Sequence, residues 1–497
     1  MQSTFRRSVL LRVLFCLLIP GICAVFISLN SGERHDSNIA HASQPEREAG
    51  TQSRYQSVLI RRIPHIKQKP DFCGEACAAM YLQMLGYNVD QDFVFDSSGL
   101  NPLLGRGCYT KELRNALENI GFQTGATWFR VRASHQKEID RQFSVLLTDL
   151  AKGIPSIVCM HYDNRPKTTE HFRLILGYDS QQDEVIYHEP AIKNGAYQRM
   201  SRQQFLKLWP LKYHQKYWTV IRLPMKPGKL VIRNARTQKT DADYAQHIMQ
   251  LKKRLPHRNF HIVIQKPFVV IGDESSQRVK ARSIRTVKWA VDQLKSLYFK
   301  NDPHEILDIW LFKDRKSYES NAFKLFKSRP TTPFGYYSSR DGALVMNIST
   351  GGGTLVHEIV HPFIASNFPG CPSWFNEGLA SLYEQCGEEN GRITGYTNWR
   401  LAGLKQAIRA GKVPSFKTLC STTTREFYRE DPGTNYSQAR YLCYYLQQKG
   451  LLVKYFNAFR KNVRTDPTGY RTLQTILGTN NIPRFKKQWE QYVLALR

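Results

Sequence analysis

The chain has 497 residues, 41% apolar and 12% aromatic, enough to bury real cores and to exclude a disordered chain. Domains average roughly 100–200 residues, so this length predicts two or three of them. Seventy-one Lys and Arg against 41 Asp and Glu give a formal net charge of +30, which makes nucleic acid the first partner to weigh; the 31 Gly and 23 Pro show no strict period, excluding collagen-like and solenoid repeats.

The N-terminus argues against nucleic acid. Arg6, Arg7 and Arg12 precede an almost wholly apolar run from Val13 to Leu29, the form of an export signal. At about 1.5 Å per residue the run reaches roughly 25 Å, marginal for a bilayer core of about 30 Å. Residues 1–32 read as a signal anchor or a signal peptide, with the arginines in the cytoplasm and the body outside it. The protein is then anchored in the membrane and exposed to the periplasm or cell envelope, or secreted if the signal is cleaved. Little nucleic acid awaits there, and the basic residues are scattered, which suits anionic envelope material or acidic partners. Residues 33–56 are polar and read as a flexible stalk.

Residues 57–225 form a helix-first block with expected helices at 74–85, 111–120 and 137–151. Strands are expected at 154–161, 172–178, 184–188 and 218–223. Here Gln68-Lys-Pro-Asp71-Phe-Cys73-Gly-Glu-Ala-Cys77-Ala-Ala-Met80 stands out. Asp71 is placed to cap a helix that Cys73 opens, and a thiol at a helix N-terminus sees the positive end of the dipole, which favours thiolate. Such a nucleophile needs a His to take its proton and a third group to orient that His. His171 begins one strand and Glu189 ends the next, so a hairpin would set them side by side. Gln68 can donate an amide N–H to an oxyanion. Cys77, one turn after the nucleophile, reads as core.

These residues, with His171-Phe-Arg-Leu-Ile-Leu-Gly-Tyr178 and Glu189-Pro-Ala191, resemble the C39-like cysteine peptidases, a papain-like family first known from bacteriocin-processing transporters. The resemblance implies a papain-like fold and a Cys73, His171 and acid triad with Gln68 as oxyanion donor. Glu189 stands where the family usually has Asp, Glu170 stands where Gly is usual, and no transporter follows.

Residues 226–256 read as a linker. In 257–497, strands are expected near 261–271 and 306–312, helices near 283–297 and 317–326, and almost pure helix from Gly352. Thr354-Leu-Val-His357-Glu358-Ile-Val-His361 puts two imidazoles at i and i+4 on one helix face, where they can share one Zn²⁺, with Glu358 turned to reach its water. Pro372-Ser-Trp374-Phe-Asn376-Glu377-Gly378-Leu-Ala380 reads as a second amphipathic helix, and an antiparallel return would bring Glu377 over the pair as third ligand.

This segment resembles the gluzincin (peptidase MA-like) metallopeptidases, whose second helix commonly carries Trp-x-Asn-Glu-Gly-x-Ala. The resemblance implies a thermolysin-like α+β domain with a mostly helical C-terminal part. Tyr436 falls where gluzincins often place a transition-state-stabilising Tyr; a buried core Tyr is the other reading. Gly335-Tyr-Tyr337 and Ala343–Asn347 look like the edge strand on which such enzymes lay a peptide. Cys371 and Cys386 flank the Glu377 helix, and a disulfide between them would brace it.

The reading is an α+β chain, an exported or anchored bifunctional peptidase acting on peptide or protein through Cys/His/Glu and a zinc-activated water. Two alternatives stay open. Only the zinc block is catalytic and the first block binds peptide, or the chain is a non-catalytic basic adaptor for anionic envelope polymers.

Overall fold

A computed structural model describes residues 55–133, 135–232, 238–429 and 432–497. The expected signal segment and nearly all of the stalk lie outside them. Among the described residues, no helix is long and apolar enough to cross a membrane.

The chain opens with β1 (Val58–Leu59), α1 (Cys73–Met84), α2 (Gln91–Asp96), α3 (Thr110–Ile120), β2 (Phe122–Gln123) and β3 (Trp128–Arg132). There follow α4 (Gln136–Ala151), β4 (Ser156–His161), β5 (Glu170–Asp179), β6 (Glu184–His188), β7 (Gln198–Ser201), α5 (Arg202–Leu208), β8 (Tyr217–Pro224) and β9 (Lys226–Pro227). The main sheet runs β3-β8-β4-β5-β6-β7, with β1 also on β5, and every pairing is antiparallel. Alternate residues of β5 face opposite cores. Phe172, Leu174 and Leu176 share one with α1, and Ile175 the other with α4 and α5; the register shift between Ile175 and Gly177 then brings Tyr178 onto that second face. α1 is buried from Gly74 through Leu82, so it carries no polar stripe.

Asp71 does not cap α1. Its φ is 65°, its Oδ2 accepts from the Gly107 amide at 3.0 Å, and Phe72 holds the cap position without a side-chain bond. The loop at Gly107 presses so close that a Cβ there would lie 1.8 Å from the Asp71 carbonyl oxygen. The carboxylate is committed to that loop.

The segment read as a linker contains α6 (Asp241–Arg254), started by a capping box between Thr240 and Asp243. Ala242 and Ala245 belong to the first block's core, and Tyr244, Ile248 and Leu251 to the second's. Hydrogen bonds tie it to both sides: Ala242 N to Asp96 Oδ1 at 2.8 Å, Gln246 Nε2 to the Pro70 carbonyl at 2.9 Å, and His247 Nε2 to Asp308 Oδ1 at 2.7 Å. Ser53–Arg497 accordingly forms one compact unit.

Next come β10 (His261–Gln265), β11 (Phe268–Gly272), α7 (Ser276–Arg282), α8 (Trp289–Leu297), β12 (Leu307–Phe312), α9 (Arg315–Phe326), β13 (Gly335–Ser338) and β14 (Ala343–Asn347). The sheet runs β10-β11-β12-β14-β13, parallel in its two central pairings and antiparallel at both edges. The single strand expected at 261–271 is a hairpin. Pro267 cannot donate to a ladder, and the chain folds back there. The helix expected from 283 already begins at Ser276, capped by Ser275, and α7 continues into α8 through a π-turn at Ser283–Lys288.

The remainder comprises α10 (Gly353–Asn367), α11 (Ser373–Leu382), β15 (Cys386–Glu389), β16 (Arg392–Gly395), α12 (Arg400–Arg409), α13 (Phe416–Cys420), α14 (Thr424–Arg429) and α15 (Pro432–Gln448), with three further helices to Ala495. The β15–β16 hairpin interrupts the expected helical run, turning at Asn390 and Gly391, both left-handed. Every cysteine among the described residues is a free thiol. The Cys371–Cys386 bridge fails because the ten residues of α11 lie between them. A helix of that length spans about 15 Å, and disulfide Cα atoms sit within about 7 Å.

Candidate active sites

Cys73 opens α1, and the next residue explains how its end reaches the sheet. A Cβ on Gly74 would come within 2.5 Å of Leu113 and 3.1 Å of the Phe172 ring, so glycine permits this approach without displacing the Leu113 side chain. The Cys73 sulfur has a main-chain hydrogen bond with Phe172, the neighbour of His171. His171 Nε2 lies 2.6 Å from Glu189 Oε1, and both residues are buried. Glu189 Oε1 also accepts from the Ala191 amide at 3.0 Å, and Oε2 from Arg173 Nε at 2.7 Å. The Gln68 amide donates to the Pro190 carbonyl at 2.9 Å, stitching the segment before the thiol to the turn after Glu189, and Gln68 Oε1 is buried without a hydrogen-bond partner. Gln68, Cys73, His171 and Glu189 therefore gather at one end of the first sheet.

Charge at this end follows burial. Burial pushes the Cys73 thiol up to about 12, helped by the Glu75 and Asp71 carboxylates and opposed by the bond with Phe172. Desolvation of the sulfur thus works against the thiolate that the helix dipole favours. Burial also drives Glu189 upward, but the His171 hydrogen bond and the charges of His171 and Arg173 prevail and hold it at about 2. Glu75 is fully buried and raised to about 7 by that burial, although its Oε1 accepts from the Cys108 amide at 2.7 Å; its Oε2 has no partner.

Sequence reasoning gave Arg173 and Glu75 no role. Arg173 was findable as the residue two after His171 on one strand, hence on the same face. Glu75 was findable as a lone charge in an apolar helix.

In the second block, His357 and His361 project from α10 and Glu377 from α11, with one donor atom of each within 4.8 Å of the others. His357 Nε2 lies 3.3 Å from Glu377 Oε2, and His361 Nε2 lies 3.8 Å from both Glu377 Oε1 and Glu358 Oε2. Glu377 Oε2 is buried with no hydrogen-bond partner. An orphaned carboxylate oxygen beside two imidazoles is a donor set that fits Zn²⁺.

The surroundings orient these donors. Asn376 Oδ1 is 3.0 Å from His361 Nδ1, and Glu384 Oε1 is 3.3 Å from His357 Nδ1. Arg400 donates to both Glu384 oxygens, at 2.8 and 2.9 Å. Tyr428 donates to Glu377 Oε1. Tyr436 sits edge-on to Tyr428 with ring centroids 6.0 Å apart, so it stands one phenol removed from Glu377. Gly378 lets α11 lie against α15, since a Cβ there would meet the Ala439 carbonyl oxygen at 3.0 Å. β13 forms the sheet edge, and its Tyr337 ring stacks near His361 at 6.5 Å. Glu384, Arg400 and Tyr428 were missed, for nothing in their spacing marks them.

Residues 60–217 match the model of the family described as Peptidase_C39 like family. Among solved structures, the peptidase domain of Streptococcus ComA, a bi-functional ABC transporter involved in a quorum sensing pathway, is 18% identical, with 33% of this chain and 100% of that chain covered and a TM-score of 0.23. No curated protein matches the chain. The family match ends before α6 and the second sheet. The protein is a mixed helix-and-sheet chain that carries a C39-like peptidase domain at residues 60–217.

Proposed function

We propose that the chain is a peptidase whose C39-like domain cleaves peptide bonds with the Cys73 thiol. The observation that carries this reading is the buried 2.6 Å pair of His171 and Glu189 beside the start of α1. Glu189 engages Nε2, which leaves Nδ1 of His171 to take the thiol proton as sulfur attacks the carbonyl carbon. Burial keeps the resting thiol protonated, so that transfer runs in step with the attack. The oxyanion meets the Gln68 side-chain amide. His171 returns the proton to the leaving amine, and water then hydrolyses the acyl-enzyme.

A second activity in the other block is favoured by the convergence of His357, His361 and Glu377. These three would hold Zn²⁺, whose chemistry when bound is to lower the pKa of its water towards about 7 and polarise a carbonyl. Glu358 takes a proton at its carboxylate. Asn376 keeps a hydrogen on Nδ1 of His361, so that Nε2 presents its lone pair, while Glu384 sets a carboxylate 3.3 Å from Nδ1 of His357 without a formed hydrogen bond. Tyr428 steadies Glu377 and backs Tyr436 as a donor to developing charge. In this reading residues 226–256 connect two catalytic blocks, 57–225 and 257–497, and the N-terminal segment at 1–32 anchors or exports them. The partner is a peptide or protein, not nucleic acid.

A peptide-library digest with wild type, Cys73→Ala and Glu358→Gln, each with and without a chelator, separates the activities. Cys73→Ala should abolish only chelator-resistant cleavage, and Glu358→Gln only chelator-sensitive cleavage. Undiminished digestion by Cys73→Ala in chelator sinks the thiol reading and leaves the first block as a peptide-binding module. If Glu358→Gln changes nothing, the zinc reading falls; if no variant or wild type cleaves, a basic adaptor remains.

A further inference from the structure

Away from both sites, a cavity of about 310 Å³ opens on the C39-like domain, lined by Leu59, Arg61, Arg62, Ile186, Tyr197 and Arg199. Strand register explains its shape. Leu59 pairs with Gly177, Gly177 with Ile186, and Ile186 with Arg199, so four strands contribute to one cross-strand row. Side chains of such a row lie on one face and normally cover it. At Gly177 the row has none, and the β5–β6 register shifts between Ile175 and Gly177. β1 lies so close there that a Cβ on Gly177 would come within 2.4 Å of the Val58 carbonyl oxygen and 3.0 Å of Leu59 Cδ1, so Leu59 takes that space and supplies, with Ile186 and Tyr197, the apolar wall of the cavity.

Its rim is basic. Arg199 is paired with Asp179 at 3.0 Å and Glu184 at 3.1 Å. Neither Arg61 nor Arg62 has a carboxylate partner among the described residues, and both are exposed. Guanidinium groups gathered at one cavity repel each other unless an anion joins them. The backbone holds this arrangement at a cost: Arg62 at φ 63° and Tyr197 at φ 47° are both left-handed without being glycine. Such strain persists where surrounding structure over-determines it, and it collects at ligand sites. Here the brace is His188, fully buried. Its Nδ1 accepts from the Tyr197 amide at 3.0 Å, so its Nε2 donates to the Ile63 carbonyl at 3.0 Å, while the Ile63 amide donates to the Tyr197 hydroxyl at 3.1 Å.

We propose that this cavity binds an acidic peptide segment, with an apolar side chain set against Leu59 and Tyr197 and a carboxylate received by Arg61 and Arg62. That the occupant is a peptide rests on the peptidase reading; that it is anionic rests on the rim alone. An extended peptide places one apolar and one acidic side chain within reach of such a wall and rim, whereas a bare oxyanion would leave the half-buried Leu59 and Tyr197 uncovered.

The test is fluorescence anisotropy with a fluorescein-labelled peptide of alternating Glu and Leu, and its Gln-for-Glu counterpart, at about 0.15 M salt. The full chain carries Cys73→Ala, so binding is read without cleavage. Arg61→Ala/Arg62→Gly should raise Kd roughly tenfold or more, glycine being free to keep the Arg62 backbone. Lys137→Ala/Arg141→Ala, which removes the same charge from exposed α4, should change Kd less than about twofold. Equal weakening by both pairs reduces the effect to diffuse attraction and overturns the site, as does equal binding of the Gln peptide. Displacement by a few millimolar inorganic phosphate makes it a bare oxyanion site and overturns the peptide occupant. Absence of thiol-dependent cleavage by the wild-type chain, with binding intact, counts against the peptidase reading and not against this site.

Discussion

Gln246 donates its side-chain amide to the carbonyl oxygen of Pro70 at 2.9 Å, three residues ahead of Cys73. The loop that carries Gln68 and leads to the thiol is thus held at Pro190 on one side and by α6 on the other. α6 is in turn fixed to the second sheet through His247 and Asp308. The nucleophile loop therefore takes part of its position from outside the C39-like domain.

Replacing Gln246 by Ala should lower kcat of the thiol activity about two- to tenfold, the range expected for one hydrogen bond of about 0.5–1.5 kcal/mol. KM should stay within twofold and the thermal midpoint nearly unchanged. Steady-state kinetics on a peptide substrate checks this, and an equal fall in kcat and rise in KM would mean that Gln246 shapes binding instead.

The half-buried thiol carries a pH signature. Because burial pushes Cys73 up to about 12, alkylation by iodoacetamide should keep rising from pH 7 to beyond pH 9 without a plateau. Peptide mapping of the labelled protein reads the rate at Cys73 alone. A plateau near neutrality would point to a preformed thiolate–imidazolium pair.

Acid should unfold the first block through Glu189. Its carboxyl is held at about 2 in the fold against an ordinary 4.5, so the unfolded chain binds the proton more tightly. The stabilisation is present above about pH 5 and is lost as pH falls towards 2. Glu189→Gln should flatten that part of the urea-midpoint profile. At pH 7 it should also cost about 3–5 kcal/mol, because Arg173 is left buried without its counter-charge. An unchanged acid slope would remove Glu189 from the account.

Orientation of the imidazoles predicts a graded series in the second block. Asn376→Ala should weaken zinc binding about 10–100-fold by releasing His361 Nδ1, with Arg400→Ala smaller because it acts through Glu384. Glu358→Gln should leave affinity unchanged. Competition against a chromophoric chelator measures all three, and equal affinity in Asn376→Ala and wild type would refute the role given to Asn376.

What the sequence revealed depended on how local the governing interaction was. Strand alternation located β4, β5, β6 and β8, and the order of His171 and Glu189 anticipated the hairpin that pairs them. Asp71 looked like a cap because helix starts favour it, but its partner is Gly107, 36 residues on, and no local pattern shows that. The hairpin at Asn390-Gly391 carried the strongest short turn signal available and was overridden by the helical run around it. Pro267 likewise marked the fold between β10 and β11. On α11, the Trp-x-Asn-Glu-Gly-x-Ala pattern located Glu377, whereas Tyr428 reaches that carboxylate from α14 through tertiary packing alone.

The two faces of α6 bear on how this chain can be inherited. Ala242 and Ala245 complete one core while Tyr244, Ile248 and Leu251 complete the other. Recombination that cut between β9 and α6 would hand the first block on with an open wall, and recombination just after α6 would do the same to the second. Neither half can be traded as an independent cassette without carrying that helix, so the two blocks are bound to travel and diverge together.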